Sequence, residues 1–186
     1  VFPPYTADQL FTILKQRAER AFHAGVVDDD VISYCAALAA REHGDARRAL
    51  DLLRIAGEIA ERENANKVSI EHVKKALLEM EEGRVFHSII ALPLQQKLVL
   101  KSIVDIVAKK ESTTTGEVYS NYVEEARKHG LEPLSIRSVS YIISQLDMMG
   151  IIIAEVKSLG RHGLTKVIRV KDEVVKIVKE ALREFD

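Results

Sequence analysis

Ser135-Ile136-Arg137-Ser138-Val139-Ser140-Tyr141-Ile142-Ile143-Ser144-Gln145-Leu146-Asp147-Met148-Met149-Gly150, followed at once by Ile151-Ile152-Ile153-Ala154-Glu155-Val156, is where the apolar period changes from helical to extended. Ile136, Val139, Ile143 and Leu146 recur at helical spacing and predict a buried stripe on a helix over 136–149. Ser135 supplies its N-cap and Gly150 its stop. Downstream, Leu164-Thr165-Lys166-Val167-Ile168-Arg169-Val170 reads as a second strand, and the glycine-containing segment 158–163 is the tip of the hairpin. Upstream lie a helix over 94–109 and the capping box Thr114-Thr115-Gly116-Glu117, which opens a helix to His129 with Gly130 as C-cap. A turn around Pro133 leads into Ser135, and Asp172 caps a last helix reaching Phe185. Helix, helix, turn, helix, hairpin is the winged-helix order.

That order gives the polar residues candidate roles. A recognition helix presents its N-terminal residues to base edges, and Arg137 has the reach and donor geometry for guanine in the major groove. Ser135 and Ser138 suit phosphates, and Tyr141 leaves the buried stripe. At the wing tip, Lys157, Gly160, Arg161 and His162 combine cations with small residues, so backbone and Arg161 can approach a phosphate or a narrow minor groove. Lys166 and Arg169 add charge nearby. The plainer readings are a solvated hairpin turn and a winged helix used for protein contacts, because the fold alone does not dictate DNA binding.

The first part of the chain reads as four short helices that must pack on one another to be stable. Thr6-Ala7-Asp8-Gln9 is a capping box for a helix that ends near Gly25. Asp28 to Asp30 start the second, which stops at Gly44; Asp45 caps the third, ended by Asn64-Ala65-Asn66; Ser69 caps the fourth, 70–82, with Gly83 behind it. From Arg84 to Pro93 the pattern loosens into an apolar connector. The expected architecture is therefore mainly α: a helical domain over 1–84, a connector over 85–93 and a winged-helix domain over 94–186.

Composition excludes several classes. The formal net charge is −1, but the first 84 residues carry −3 and the remainder +2. Between Glu155 and Lys171 the five cations Lys157, Arg161, Lys166, Arg169 and Lys171 face only Glu155, a local basic patch. One cysteine, Cys35, forms no internal disulfide and reads as a small buried apolar residue in a reducing compartment. The six histidines lack metal-ligand spacing,. With no apolar run long enough for a bilayer and no leader pattern, the expected location is cytoplasmic, at the nucleoid, without membrane partners. Nothing resembles a catalytic elbow or a Ser/His/Asp set.

Gly44-Asp45-Ala46-Arg47-Arg48-Ala49-Leu50-Asp51 puts two arginines into the first turn of a helix, where free N–H groups already favour an anion. Asp45 offsets only part of the charge of Arg47 and Arg48, so a phosphate is the natural partner for the pair, against the plainer reading of a solvated basic turn. Arg17 sits three and four residues from Leu14 and Ile13, on an apolar stripe, where a guanidinium snorkels, pairs with a carboxylate or meets an anion.

The same string resembles the sensor 2 segment of AAA+ ATPases, in the form found in archaeal replication initiators of the origin-recognition and cell-division-control type. The opening Phe2-Pro3-Pro4-Tyr5, the run Gln9-Leu10-Phe11-Thr12-Ile13-Leu14-Lys15-Gln16-Arg17 and the winged-helix pattern follow that family in order, over nearly the whole chain. The resemblance implies a four-helix lid in which Arg47 points at the terminal phosphates of ATP or ADP, Tyr5 lies beside the base and Arg17 also touches the nucleotide. It implies a winged helix on double-stranded origin DNA and a role in recruiting the replicative helicase. No Gly-x-x-x-x-Gly-Lys-Ser/Thr loop and no paired acidic metal motif occurs in the chain. The AAA+ core with its Mg is therefore expected upstream of Val1, and this chain alone is expected to be no enzyme and to hold nucleotide weakly or not at all. Two rivals are a winged-helix transcription regulator, which leaves Arg47 and Arg48 unexplained, and the tail of a Holliday-junction branch-migration motor, against which the Phe2 to Arg17 motif argues. A protein-interaction module with an idle wing is a third.

Overall fold

The computed structural model describes residues 3–158 and 164–183. It divides into two compact units, Val1–Glu81 and Glu82–Asp186, each with its own core. The first unit holds α1 (Ala7–Ala21), α2 (Asp29–Glu42), α3 (Ala46–Arg62) and the first part of α4 (Ile70–Ile90). The second holds the rest of α4, then α5 (Leu94–Val107), β1 (Thr113–Thr114), α6 (Thr115–Lys128), α7 (Ile136–Met148), β2 (Ile153–Ser158), β3 (Leu164–Arg169) and α8 (Asp172–Ala181). Among the described residues no helix is long and apolar enough to cross a membrane.

Local chemistry sets the ends of the first unit's helices. Thr6 caps α1 in a reciprocal box with Gln9, and the Asp45 carboxylate accepts from the Arg47 backbone N–H at 2.8 Å. At the start of α4 a histidine takes the usual Glu place: Ser69 N–H donates to His72 Nδ1 at 3.0 Å, and the Ser69 hydroxyl accepts from His72 N–H at 3.4 Å,. Leu10, Leu14, Ile32, Cys35, Leu52, Leu53, Ala56 and Val73 fill the core between these helices. Burial pushes the Cys35 thiol up to about 12, which leaves it an unreactive apolar filler,.

Three expectations are corrected. The fourth helix does not stop at Gly83 but continues to Ile90; a helical glycine costs only about 1 kcal/mol relative to alanine, and Val85, Ile89 and Leu92, spaced four and three apart, pack into the second unit's core. Ile136 is 48% exposed, and Ile142 takes its place with Val139, Ile143 and Leu146 in the buried stripe. Asp172 is the first residue of α8 rather than its cap, which is Lys171, and the helix ends at Ala181; Phe185 lies outside the described residues.

The hairpin is the larger part of a three-stranded antiparallel sheet ordered β1-β3-β2. Thr113 and Thr114 pair with Ile168 and Val167, and on the other side Ala154 lies opposite Ile168 and Val156 opposite Lys166. Alternation therefore sends Ala154, Lys166 and buried Ile168 to the face that meets the helices,. Glu155, Lys157, Val167 and Arg169 occupy the other face. The two-residue β1 runs directly into α6 through the Thr114 capping box.

Two local features, a glycine and a carboxylate, bear on stability. Gly44, at φ +63°, immediately precedes the Asp45 cap, and a Cβ there would stand 2.6 Å from the Tyr5 carbonyl oxygen and 2.7 Å from Pro4 Cβ, while Tyr5 N–H donates to the Gly44 carbonyl at 3.1 Å. Gly44→Ala should lower unfolding stability in urea by about 1–3 kcal/mol from backbone strain alone. Gly44→Asn, which tolerates the left-handed conformation, should fail to restore it because the close approach remains; full restoration would reduce the role of Gly44 to its φ. The second feature is the Glu117 carboxylate, held down to about 2 by the Lys110 ammonium and by bonds from Thr114 and Thr113. Because the folded state lowers this group, its contribution is complete above the ordinary carboxylate range and is lost as pH falls toward about 2,. Glu117→Gln should flatten the acid limb of the stability–pH curve over that window, by well under the full shift because the side chain is partly solvated.

Candidate nucleic-acid interface

The second unit positions α7 through polar contacts from α5 and α6. Tyr122 of α6 is fully buried, and its hydroxyl donates to Gln95 Oε1 and accepts from Leu134 N–H at 3.0 Å. Gln95 in turn donates through Nε2 to the Glu132 carbonyl at 3.4 Å, and the neighbouring Gln96 donates to Gln145 Oε1 on α7 at 3.1 Å. The 131–135 turn and the helix that follows are thus tied to α5 by side chains. Tyr122, Gln95 and Gln96 are not singled out by the sequence. The available signal was a tyrosine on the helix before a proline turn, whose buried hydroxyl would need partners.

At the start of α7, the Ser135 hydroxyl accepts from Ser138 N–H at 3.2 Å and lies 3.0 Å from the Ser138 hydroxyl. The two serines expected to face phosphates are therefore also the helix cap, with Ser135 exposed and Ser138 half-buried. Arg137 is exposed and has no hydrogen-bond or ion-pair partner among the described residues. Tyr141, one turn on, is 66% exposed. These two project away from the Val139, Ile142, Ile143, Leu146 stripe.

The wing cations divide into different roles. Lys157 is exposed on β2 opposite Thr165. Lys166 lies on the inner face, where its ammonium donates to the Ser140 carbonyl at 2.7 Å and to the Ser144 hydroxyl, joining β3 to α7; burial lowers its pKa. Arg169 pairs with Glu155 at 3.1 Å across the hairpin. Gly160, Arg161 and His162 lie outside the described residues.

In the first unit, the residues expected at a nucleotide fall in sequence along α3. The backbone bond from Tyr5 to Gly44 places Tyr5 beside the residue two before the helix begins. Arg47 occupies the first turn, exposed and without a side-chain partner among the described residues, whereas Arg48 forms an ion pair with Glu42. Arg17 lines a groove with Phe22, Leu50, Arg54 and Gly57, beside the second and third turns. The order along the helix is therefore Tyr5, Arg47, Arg17. A free arginine at a helix N-terminus suits a phosphate, and the half-exposed Tyr5 ring nearby suits a base.

Comparison with known proteins agrees with this two-part layout. The Cdc6 AAA+ ATPase-type lid domain family matches residues 11–77, and the CDC6 C-terminal winged helix domain family matches residues 87–180. An ORC1-type DNA replication protein of Desulfurococcus amylolyticus is 63% identical over all 186 residues, which cover 47% of that relative. Another, from Pyrococcus horikoshii, is 56% identical over 95% of this chain and 42% of its own length. The solved structure of the Aeropyrum pernix ORC1 protein in complex with DNA is 52% identical, with a TM-score of 0.73 over 97% of this chain and 48% of that one. The chain thus spans about half the length of the relatives it matches. The two family matches follow one another in chain order, the second covering about half of the chain, and the chain belongs to the Cdc6 and ORC1-type family of DNA replication initiators, of which it carries the lid and winged-helix region.

Proposed function

We propose that this chain is the part of a replication initiator that grips duplex DNA at an origin through its winged helix and responds through its lid to ATP or ADP. The DNA reading is carried by one observation: Arg137, unpaired among the described residues, projects from the first turn of α7 in a unit similar to an ORC1 protein solved with DNA. A guanidinium in that position can bond guanine O6 and N7 together. Lys157, exposed on β2, would add a grip on phosphates that is independent of sequence, and the sequence of the tip offers Arg161 for the same part. Lys166 supports this surface from behind by holding β3 against α7.

For the lid, Arg47 would meet the terminal phosphates of a nucleotide held mainly by an AAA+ core with its Mg elsewhere in the whole protein. Tyr5 would lie toward the base and Arg17 toward the far side of the same ligand. A lid arginine that engages only when the last phosphate is present couples nucleotide state to lid position. Recruitment of the replicative helicase is the role we attach to the whole protein on this reading.

Two measurements test it. Arg137→Ala should cost about 1–3 kcal/mol on the duplex that this chain selects from a random library and clearly less on random duplex. Equal losses on both would make Arg137 a phosphate contact. For the lid, calorimetry on this chain should detect no ATP or ADP binding, because one arginine and one helix start do not offset the cost of immobilising a small ligand. In the full-length initiator, Arg47→Ala should impair ATP hydrolysis or its coupling to DNA while the lid stays folded. Tight nucleotide binding by the chain alone, or wild-type hydrolysis and coupling in the full-length variant, would remove Arg47 from that role.

A further inference from the structure

Directly opposite the buried stripe of α7 runs a second stripe formed by Arg137, Tyr141, Ser144 and Met148. Spaced four, three and four apart, these positions stay within about 60° of one another at 3.6 residues per turn. Arg137 is exposed, Tyr141 is 66% exposed and Met148 is 85% exposed, while the half-buried Ser144 receives the Lys166 ammonium. A helix face that only meets water is filled by charged or amide side chains. Here two of the four positions are large, apolar and project away from the core.

Resting on the reading of α7 as the helix that enters the major groove, we propose that Tyr141 and Met148 recognise thymine through its C5-methyl group. Thymine alone among the four bases presents an apolar group in that groove. The methionine thioether is unbranched and polarizable and adapts to such a contact, and the tyrosine ring offers an apolar edge with a polar tip for the adjacent water or phosphate. The cation at the start of the same stripe makes the DNA groove, rather than an apolar protein surface, the matching occupant. From Arg137 to Met148 the helix advances about 16 Å, equal to about five base steps. The preferred site therefore combines a guanine at the Arg137 end with thymines within those steps.

The test changes the DNA before it changes the protein. The chain selects its preferred duplex from a random library, and each thymine of that duplex is replaced singly by deoxyuridine, which removes only the methyl. At least two replacements should weaken binding, each by about fourfold, the factor for one buried methyl-sized group. Met148→Ala should abolish the effect at one of these positions and Tyr141→Ala at another, whereas Arg137→Ala should leave both effects in place. A selected duplex that binds equally well with every thymine replaced overturns the inference, as does a methyl effect of the same size in wild type, Met148→Ala and Tyr141→Ala. If no sequence is enriched over random duplex, the base-reading role of α7 falls first and this inference with it.

Discussion

A buried phenol must satisfy its hydroxyl, and the winged-helix unit is arranged around the way Tyr122 does so. By accepting from Leu134 N–H and donating to Gln95, the hydroxyl fixes the turn before α7 against α5. The Gln96 to Gln145 bond fixes the helix itself on the same scaffold. Apolar packing of Val139, Ile142, Ile143 and Leu146 holds α7 against the core but is non-directional,. The polar bonds specify its register. The proposed role of α7 at base edges requires both, because a displacement of an ångström at the scaffold would be carried unchanged to Arg137.

The lid uses backbone geometry for an equivalent purpose. Gly44 brings the extended Pro4-Tyr5 segment against the chain just before α3, and Asp45 then caps the helix, so Tyr5 and Arg47 are placed by one glycine and one carboxylate. The neighbouring arginines are separated by their partners: Glu42 takes Arg48 and leaves Arg47 to the solvent. A pair that looks equivalent in sequence becomes one structural and one available cation.

Much of this was legible from the residues. Caps at Thr6, Asp45, Thr114 and Ser135, glycine stops and the change of period at Gly150 identify the helices and the hairpin, because those signals act within a few residues. What was not legible depends on distant partners. Strand β1 is two threonines whose extended state comes from pairing with Ile168 and Val167, more than fifty positions away. Gly83 reads as a stop until the core beneath Val85 and Ile89 is considered. Ile136 fits the helical period but stands at the first position of α7, beyond the packed layer, so Ile142 carries the burial instead. Spacing alone marks Arg137 and Tyr141 as outward, whereas only the family resemblance separates Arg47 from Arg48. Spacing does not reveal the Gln95–Tyr122 pair, since nothing local says which side chains will meet across two helices.

The fate of the wing cations shows why charge counted along a sequence is a poor measure of a DNA grip. Of the five cations between Lys157 and Lys171, Arg169 faces Glu155 and Lys166 is turned inward onto α7. Strand alternation already implies the second of these, because Lys166 shares the face of buried Ile168. Each phosphate that a protein neutralises contributes about 0.9 to the salt slope on duplex DNA, and a cation whose ammonium is bonded to a carbonyl and a hydroxyl of α7, as that of Lys166 is, contributes little to that count. On the DNA-binding reading proposed above, the non-specific hold of the wing would rest on Lys157, Arg161 and Lys171, a modest number of charges. On the same reading discrimination would fall to α7, the element for which Tyr122, Gln95, Gln96 and Lys166 together provide the support.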